Sequence, residues 1–102
     1  MGLQELRQKI DKVDEGLIEL FQQRMDLSAE IARYKQEHKL PVYDPAREKE
    51  KLHELSGKAG EGRQGYVTAL YSLLFELSRA EQERVINPAA SSPSAGVKPP
   101  EP

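Results

Sequence analysis

The sequence predicts an all-α protein: a three-helix protomer with a long N-terminal helix. Three observations carry this. The first 37 residues hold no proline, and their apolar residues step by threes and fours, through Leu3, Leu6, Ile10, Val13, Leu17, Leu20, Leu27, Ile31 and Tyr34, with one interruption at Arg24. That spacing is the stripe of one helix face. Pro41 and the pair Asp44-Pro45 then close one helix and open another. A glycine-rich stretch followed by a second apolar stripe marks a third.

The first helix opens among Met1-Gly2-Leu3 without a clear cap. Gly16 lies inside it and costs about 1 kcal/mol relative to alanine. Packing must therefore hold this helix, since propensity alone does not. It should end near Glu37-His38-Lys39, where cations suit the carbonyl end, with Leu40-Pro41 as the stop. At about 1.5 Å per residue it is about 50 Å long, whereas a compact fold of about 100 residues has a radius of gyration near 13 Å. The helix overhangs whatever the remaining chain can build, so a partner chain is expected to cover it.

Asp44 suits the N-cap and Pro45 the first position of the second helix, expected to run to about Leu55. Gly57, Gly60, Gly62 and Gly65 mark a flexible connection. The third helix is expected from Arg63 or Tyr66 to about Val85, with Val67, Leu70, Tyr71, Leu74 and Leu77 as its apolar face. Residues 1–86 form one domain on this reading. Residues 87–102 are rich in Pro, Ser and Ala and read as a disordered tail or linker.

Composition narrows the function classes. The chain has 102 residues, 31% charged and 6% aromatic, with no Trp, which suits a helical protein with a thin core. A net charge of −2 gives no reason to expect nucleic acid as a partner. The absence of cysteine excludes disulfides, thiolate metal sites and cysteine nucleophiles. His38 and His53 do not make a metal spacing on one helix, so no metal is expected. No signal-like or membrane-spanning apolar run occurs, and the expectation is a cytoplasmic protein without a membrane partner.

Any anion-binding role must then come from a few placed cations. Arg24 occupies a seam position, and a seam cation needs a partner. Lys35 lies eleven residues on, about three turns, so the two point the same way to within about 20° and stand about 16 Å apart. Ser28, Ile31 and Ala32 between them are small or apolar. Arg47 and Glu48 fall in the first turn of the second helix, and Ser78 and Gln82 share a face of the third. Facing helices of a bundle assemble polar pockets in this way. Arg7 is seventeen residues from Arg24, about 25 Å away and roughly 100° around the helix, so it reaches such a pocket only from another chain. The plainer reading stands beside this one. Arg24 could pair with Glu48 in a structural ion pair, Ser78 and Gln82 could bond backbone, and the other cations could lie in solvent. Periodicity by itself leads to a helical dimer with a candidate anion pocket and no named ligand.

The order of the motifs goes further. Leu6-Arg7-Gln8-Lys9-Ile10-Asp11, Leu20-Phe21-Gln22-Gln23-Arg24-Met25, Ile31-Ala32-Arg33-Tyr34-Lys35, Pro41-Val42-Tyr43-Asp44-Pro45-Ala46-Arg47-Glu48 and Leu77-Ser78-Arg79-Ala80-Glu81-Gln82 follow one another along residues 3–86. In that order and spacing the chain resembles the all-helical chorismate mutases, most closely the N-terminal mutase domain of bifunctional chorismate mutase/prephenate dehydratases. The resemblance implies an intertwined helical homodimer with two sites built from both chains. It implies the rearrangement of chorismate to prephenate in phenylalanine and tyrosine biosynthesis, with no cofactor and no metal. It also implies residue roles. Arg24 and the Arg7 of the other chain hold the two carboxylates, Lys35 and Gln82 donate to the ether oxygen, Glu48 and the backbone at Asp44 take the ring hydroxyl, and Ser78 assists at a carboxylate. The tail would then lead into a fused C-terminal prephenate dehydratase domain in the native chain, or end a free-standing enzyme.

Two other functions fit the same helices. A non-catalytic dimerisation module predicts Arg24 and Lys35 paired with acids and no cavity between them. An isochorismate pyruvate-lyase on the same fold differs in its product.

Overall fold

The stripes and caps become three helices. In a computed structural model, which describes residues 2–88, α1 spans Leu3–Glu37, α2 spans Pro45–Gly57 and α3 spans Gln64–Ile86. All but two residues of the predicted tail lie outside the described residues.

Gly2 precedes α1 without a side-chain cap, as its sequence implies. The helix stops at Lys39, two residues before Pro41. Lys39 takes φ 55°, and the Leu40 N–H turns back to the Lys35 carbonyl at 2.8 Å. That closure satisfies the terminal carbonyls, at the cost of about 1–2 kcal/mol for a side-chain-bearing residue in the left-handed region. Asp44 caps α2 as predicted, its Oδ1 accepting from the Arg47 N–H at 3.1 Å, with Pro45 in the first turn. The helix continues through Ser56 to Gly57, past the expected end at Leu55. In the connection, Gly62 has φ 79°, a conformation that favours glycine.

The packing is organised by α3, which lies against both α1 and α2, while α1 and α2 do not pack directly on each other. Being held from two sides changes its buried face. Phe75, off the predicted stripe, is buried at 8% exposure, and Leu70, on that stripe, is 52% exposed. The residues of α1 buried here are Ser28 and Ala32. All nine apolar residues of the α1 stripe remain exposed in the protomer, from 45% at Leu6 to 63% at Leu3. From Leu3 to Leu20 the stripe faces away from the rest of the chain, whereas the face with Arg24, Ser28, Ala32 and Lys35 turns toward α3.

The longest dimension of the molecule is 54 Å, about what 35 helical residues span. The long helix therefore sets the shape, and its N-terminal half overhangs. Among the described residues no helix is long and apolar enough to cross a membrane, and no three acidic or histidine side chains converge to hold a metal.

Candidate active site

A cavity of about 640 Å³ opens between the C-terminal half of α1, the link, α2 and α3. Its size is in the range of small-molecule sites. Arg24, Lys35, Asp44, Glu48, Ser78 and Gln82 all line it, and so does Arg47. Arg7 does not; it is exposed on the overhanging half of α1. The sequence-predicted residues therefore converge, with the displacement of Arg7 that helix geometry requires.

Among the described residues Arg24 has no acidic partner. The guanidinium carbon lies 5.6 Å from the Phe75 ring centroid and 6.0 Å from that of Tyr71. Ring faces hold a cation without cancelling its charge. The predicted alternative, an Arg24–Glu48 ion pair, is not formed, because Glu48 is taken by Arg79. Lys35 is likewise absent from the ion pairs of the described residues. Its Nζ donates to the Val42 carbonyl at 2.7 Å, which draws the ammonium toward the link and leaves two N–H groups.

Ser28, Ser78 and Gln82 form a short polar chain across the α1–α3 contact. The two serine hydroxyls are 2.6 Å apart, and Gln82 Nε2 donates to Ser78 Oγ at 3.4 Å. Gln82 is 5% exposed, and its Oε1 is buried without a partner. A buried amide oxygen without a partner is costly in the empty protein. The second N–H of the same amide makes no bond among the described residues. Ser28 carries this arrangement from α1, and only its position between Arg24 and Lys35 hinted at that in the sequence.

Three more lining residues had no predicted role. Lys51, two turns into α2, pairs with Glu54 at 3.4 Å. Arg79 follows Ser78 on α3, and its Nη1 lies 2.5 Å from each carboxylate oxygen of Glu48. That hydrogen bond raises the guanidinium pKa against the opposing effect of partial burial. Val42 supplies the carbonyl that holds Lys35. A neutral backbone oxygen and a link residue give no signal in periodicity. Arg47 sits at the rim, with only a 3.9 Å contact to Glu50. In all, Arg24, Lys35, Arg47, Lys51 and Arg79 face Asp44 and Glu48: five cations against two carboxylates.

Residues 6–83 match the family model described as chorismate mutase type II. The chain belongs to that family. Among curated proteins it is similar to the bifunctional chorismate mutase/prephenate dehydratase of Escherichia coli (strain K12), 35% identical over 83 residues, covering 79% of this chain and 22% of that protein. It is also similar to the T-protein of Haemophilus influenzae, 44% identical over 47 residues, covering 46% of this chain and 12% of that protein. A 3-dehydroquinate dehydratase of Pyrobaculum aerophilum is 32% identical over 81 residues, covering 79% of this chain and 24% of that protein. The chain thus spans a quarter or less of the length of these relatives. No solved structure matches it significantly. Membership of the type II family accounts for an all-helical chain with a cation-lined cavity and no strand among its described residues.

Proposed function

We propose that this protein is a homodimeric, cytoplasmic chorismate mutase that converts chorismate to prephenate in aromatic amino acid biosynthesis. The observation that carries the reading is the cavity wall, with five cations against two carboxylates in a chain of net charge −2. Such a wall favours a small dianion. Family membership narrows that dianion to chorismate. The names of the two-activity relatives support a prephenate dehydratase domain as the natural companion of such a module.

The rearrangement requires no nucleophile and no proton transfer. One carbon–oxygen bond breaks and one carbon–carbon bond forms within a folded substrate. The site must restrict the conformation and stabilise charge developing on the ether oxygen. In the proposed roles, Arg24 and the partner subunit's Arg7 hold the carboxylates with the bidentate geometry of guanidinium. Lys35 and Gln82 donate to the ether oxygen, each with an N–H left after its contact to Val42 or Ser78. Glu48 and the backbone at Asp44 accept from the ring hydroxyl, and Ser78 assists at a carboxylate. The exposed α1 stripe supports the dimer, since Arg7 lies on the overhanging half that a second chain would cover.

The dimerisation-module reading required Arg24 and Lys35 to be paired with acids and the space between them filled. Neither condition holds among the described residues. The decisive experiment follows chorismate loss by ultraviolet absorbance and identifies the product. Prephenate is expected. Turnover of isochorismate with pyruvate release and no prephenate would move the assignment to the lyase. No turnover by a folded dimer would leave only the module.

A further inference from the structure

One cation of the cavity, Arg79, has no part in the roles above, although its ion-pair partner Glu48 does. Of the five salt bridges among the described residues, four join residues three or four apart, within a helix or at its end. The fifth, between Arg79 and Glu48, joins α3 to the first turn of α2. Its members are 32% and 23% exposed, so it is better shielded than a fully solvated surface pair. The Arg79 guanidinium also lies over the Tyr43 ring, 4.9 Å from its centroid. One side chain therefore ties together α3, the α1–α2 link and α2.

Glu48 is out of place by charge. It is a carboxylate in a wall that otherwise favours an anion, and an uncancelled negative charge there repels the ligand. Glu48 also has rotatable bonds that a single hydrogen bond to a hydroxyl would not fix. Arg79 answers both difficulties. A guanidinium beside the carboxylate cancels its charge. One nitrogen, Nη1, contacts both oxygens, which keeps the carboxylate turned toward the guanidinium. An ionised carboxylate has about four lone-pair sites, so acceptor capacity remains for a ligand hydroxyl.

We propose that Arg79 is a positioning residue for this site: it orients the Glu48 carboxylate as an acceptor and cancels its charge, so that an anionic ligand binds beside it. The proposal rests on the mutase reading for its reaction, while the charge cancellation is a property of the cavity alone. Lysine would keep the charge and lose the planar group that lies over Tyr43 and holds the cation in place against Glu48.

The test compares wild type, Arg79→Met, Arg79→Lys, Glu48→Gln and the double variant Arg79→Met/Glu48→Gln. Two readouts are taken: kcat and KM for chorismate, and the Kd for phthalate, an unreactive cyclic dicarboxylate, from NMR shift titration. Circular dichroism melts check folding. Arg79→Met should raise KM and the phthalate Kd by about tenfold to a hundredfold, the effect of a unit charge about 6 Å from one or both ligand carboxylates at an effective dielectric of about 40. Adding Glu48→Gln should bring the phthalate Kd back toward wild type, because the uncancelled charge is gone. Arg79→Lys should bind phthalate nearly as wild type but turn over chorismate more slowly.

A merely structural arginine would not give rescue by a second loss. The proposal is overturned if the double variant binds phthalate no better than Arg79→Met, or if Arg79→Met matches wild type in both readouts. If Arg79→Met does not fold, Arg79→Lys carries the test, and unchanged kcat in that variant overturns the positioning role. Wild type without chorismate turnover, but with the phthalate pattern intact, would remove the mutase reading and leave the charge cancellation standing.

Discussion

The two halves of α1 share one helix and one apolar stripe, yet they meet different surroundings. From residue 21 onward the helix is partly covered, with Ser28 and Ala32 buried against α3 and Arg24 and Lys35 turned into the cavity. From Leu3 to Leu20 every residue except Gly16 is exposed, including Leu3, Leu6, Ile10, Val13, Leu17 and Leu20. An apolar stripe is thus a demand for a partner, and where the chain is too short to supply one, the demand passes to another molecule. Covering the remaining half of nine large apolar side chains would contribute about 7–13 kcal/mol before the costs of association. On this view the overhanging half makes the dimer, the other half makes the site, and Arg7 is the thread between them.

The sharpest way to break this contrast is to charge the overhang. Val13→Asp with Leu17→Asp changes two side chains that are 61% and 56% exposed in the protomer. If the protomer were self-sufficient, the substitutions would be nearly neutral. With a partner over the stripe, the dimer dissociates, and helicity and activity fall together. Sedimentation equilibrium and circular dichroism measure this; a folded, active monomer would defeat the dimer proposal.

On the cavity side, Gln82→Glu replaces a donor available at every ordinary pH with one that donates only when protonated. Activity should be greatest in acid and fade as the carboxyl ionises. Above that range the loss should approach about 2.7–4 kcal/mol in barrier, a factor of roughly a hundred to a thousand. The check is kcat/KM against pH for both proteins, with fold and dimer state followed throughout. A wild-type profile in the variant would remove Gln82 from the ether oxygen.

The link between the halves has its own test. Arg7→Ala and Arg24→Ala should each be inactive. Mixed in equal amounts, they should recover about a quarter of wild-type activity, since half the dimers would be mixed and carry one intact site of two. No recovery after confirmed subunit exchange would confine each site to one chain.

Two smaller effects refine the picture. A Cβ at Gly16 would meet nothing within 4 Å in the protomer. Gly16→Ala should therefore raise stability by about 0.5–1 kcal/mol through helix propensity. A loss instead, read by thermal melting, would show a partner backbone close to Gly16. On α2, the Glu54 carboxyl is held below its ordinary range, first by its hydrogen bond and charge contact with Lys51, then by Lys58. A depressed carboxylate stabilises above its unfolded pKa and loses that contribution as pH falls through its folded value. Glu54→Gln should lower the melting temperature slightly at neutral pH and converge with wild type in acid. A difference that grew in acid would contradict the pairing.

The sequence by itself determined the three helices, since stripe, cap and breaker are local properties of neighbouring residues. Asp44-Pro45 opened α2 where it was expected, and the ends of all three helices moved by only a residue or two. It also determined that Arg24 and Lys35 share a face and that Arg7 does not, because helix geometry fixes angles and rises. Tertiary structure decided what lay across each face. Periodicity offered Glu48 as the partner of Arg24; the packing of α2 on α3 gave Glu48 to Arg79 and left Arg24 to Phe75 and Tyr71. It buried Phe75 instead of Leu70 because α3 is held from two sides. Lys35 found the Val42 carbonyl, and Ser28 found Ser78, through the approach of separate segments. Local patterns fix directions along a helix, whereas a partner is chosen by distance between helices, and no repeat in the chain records that distance.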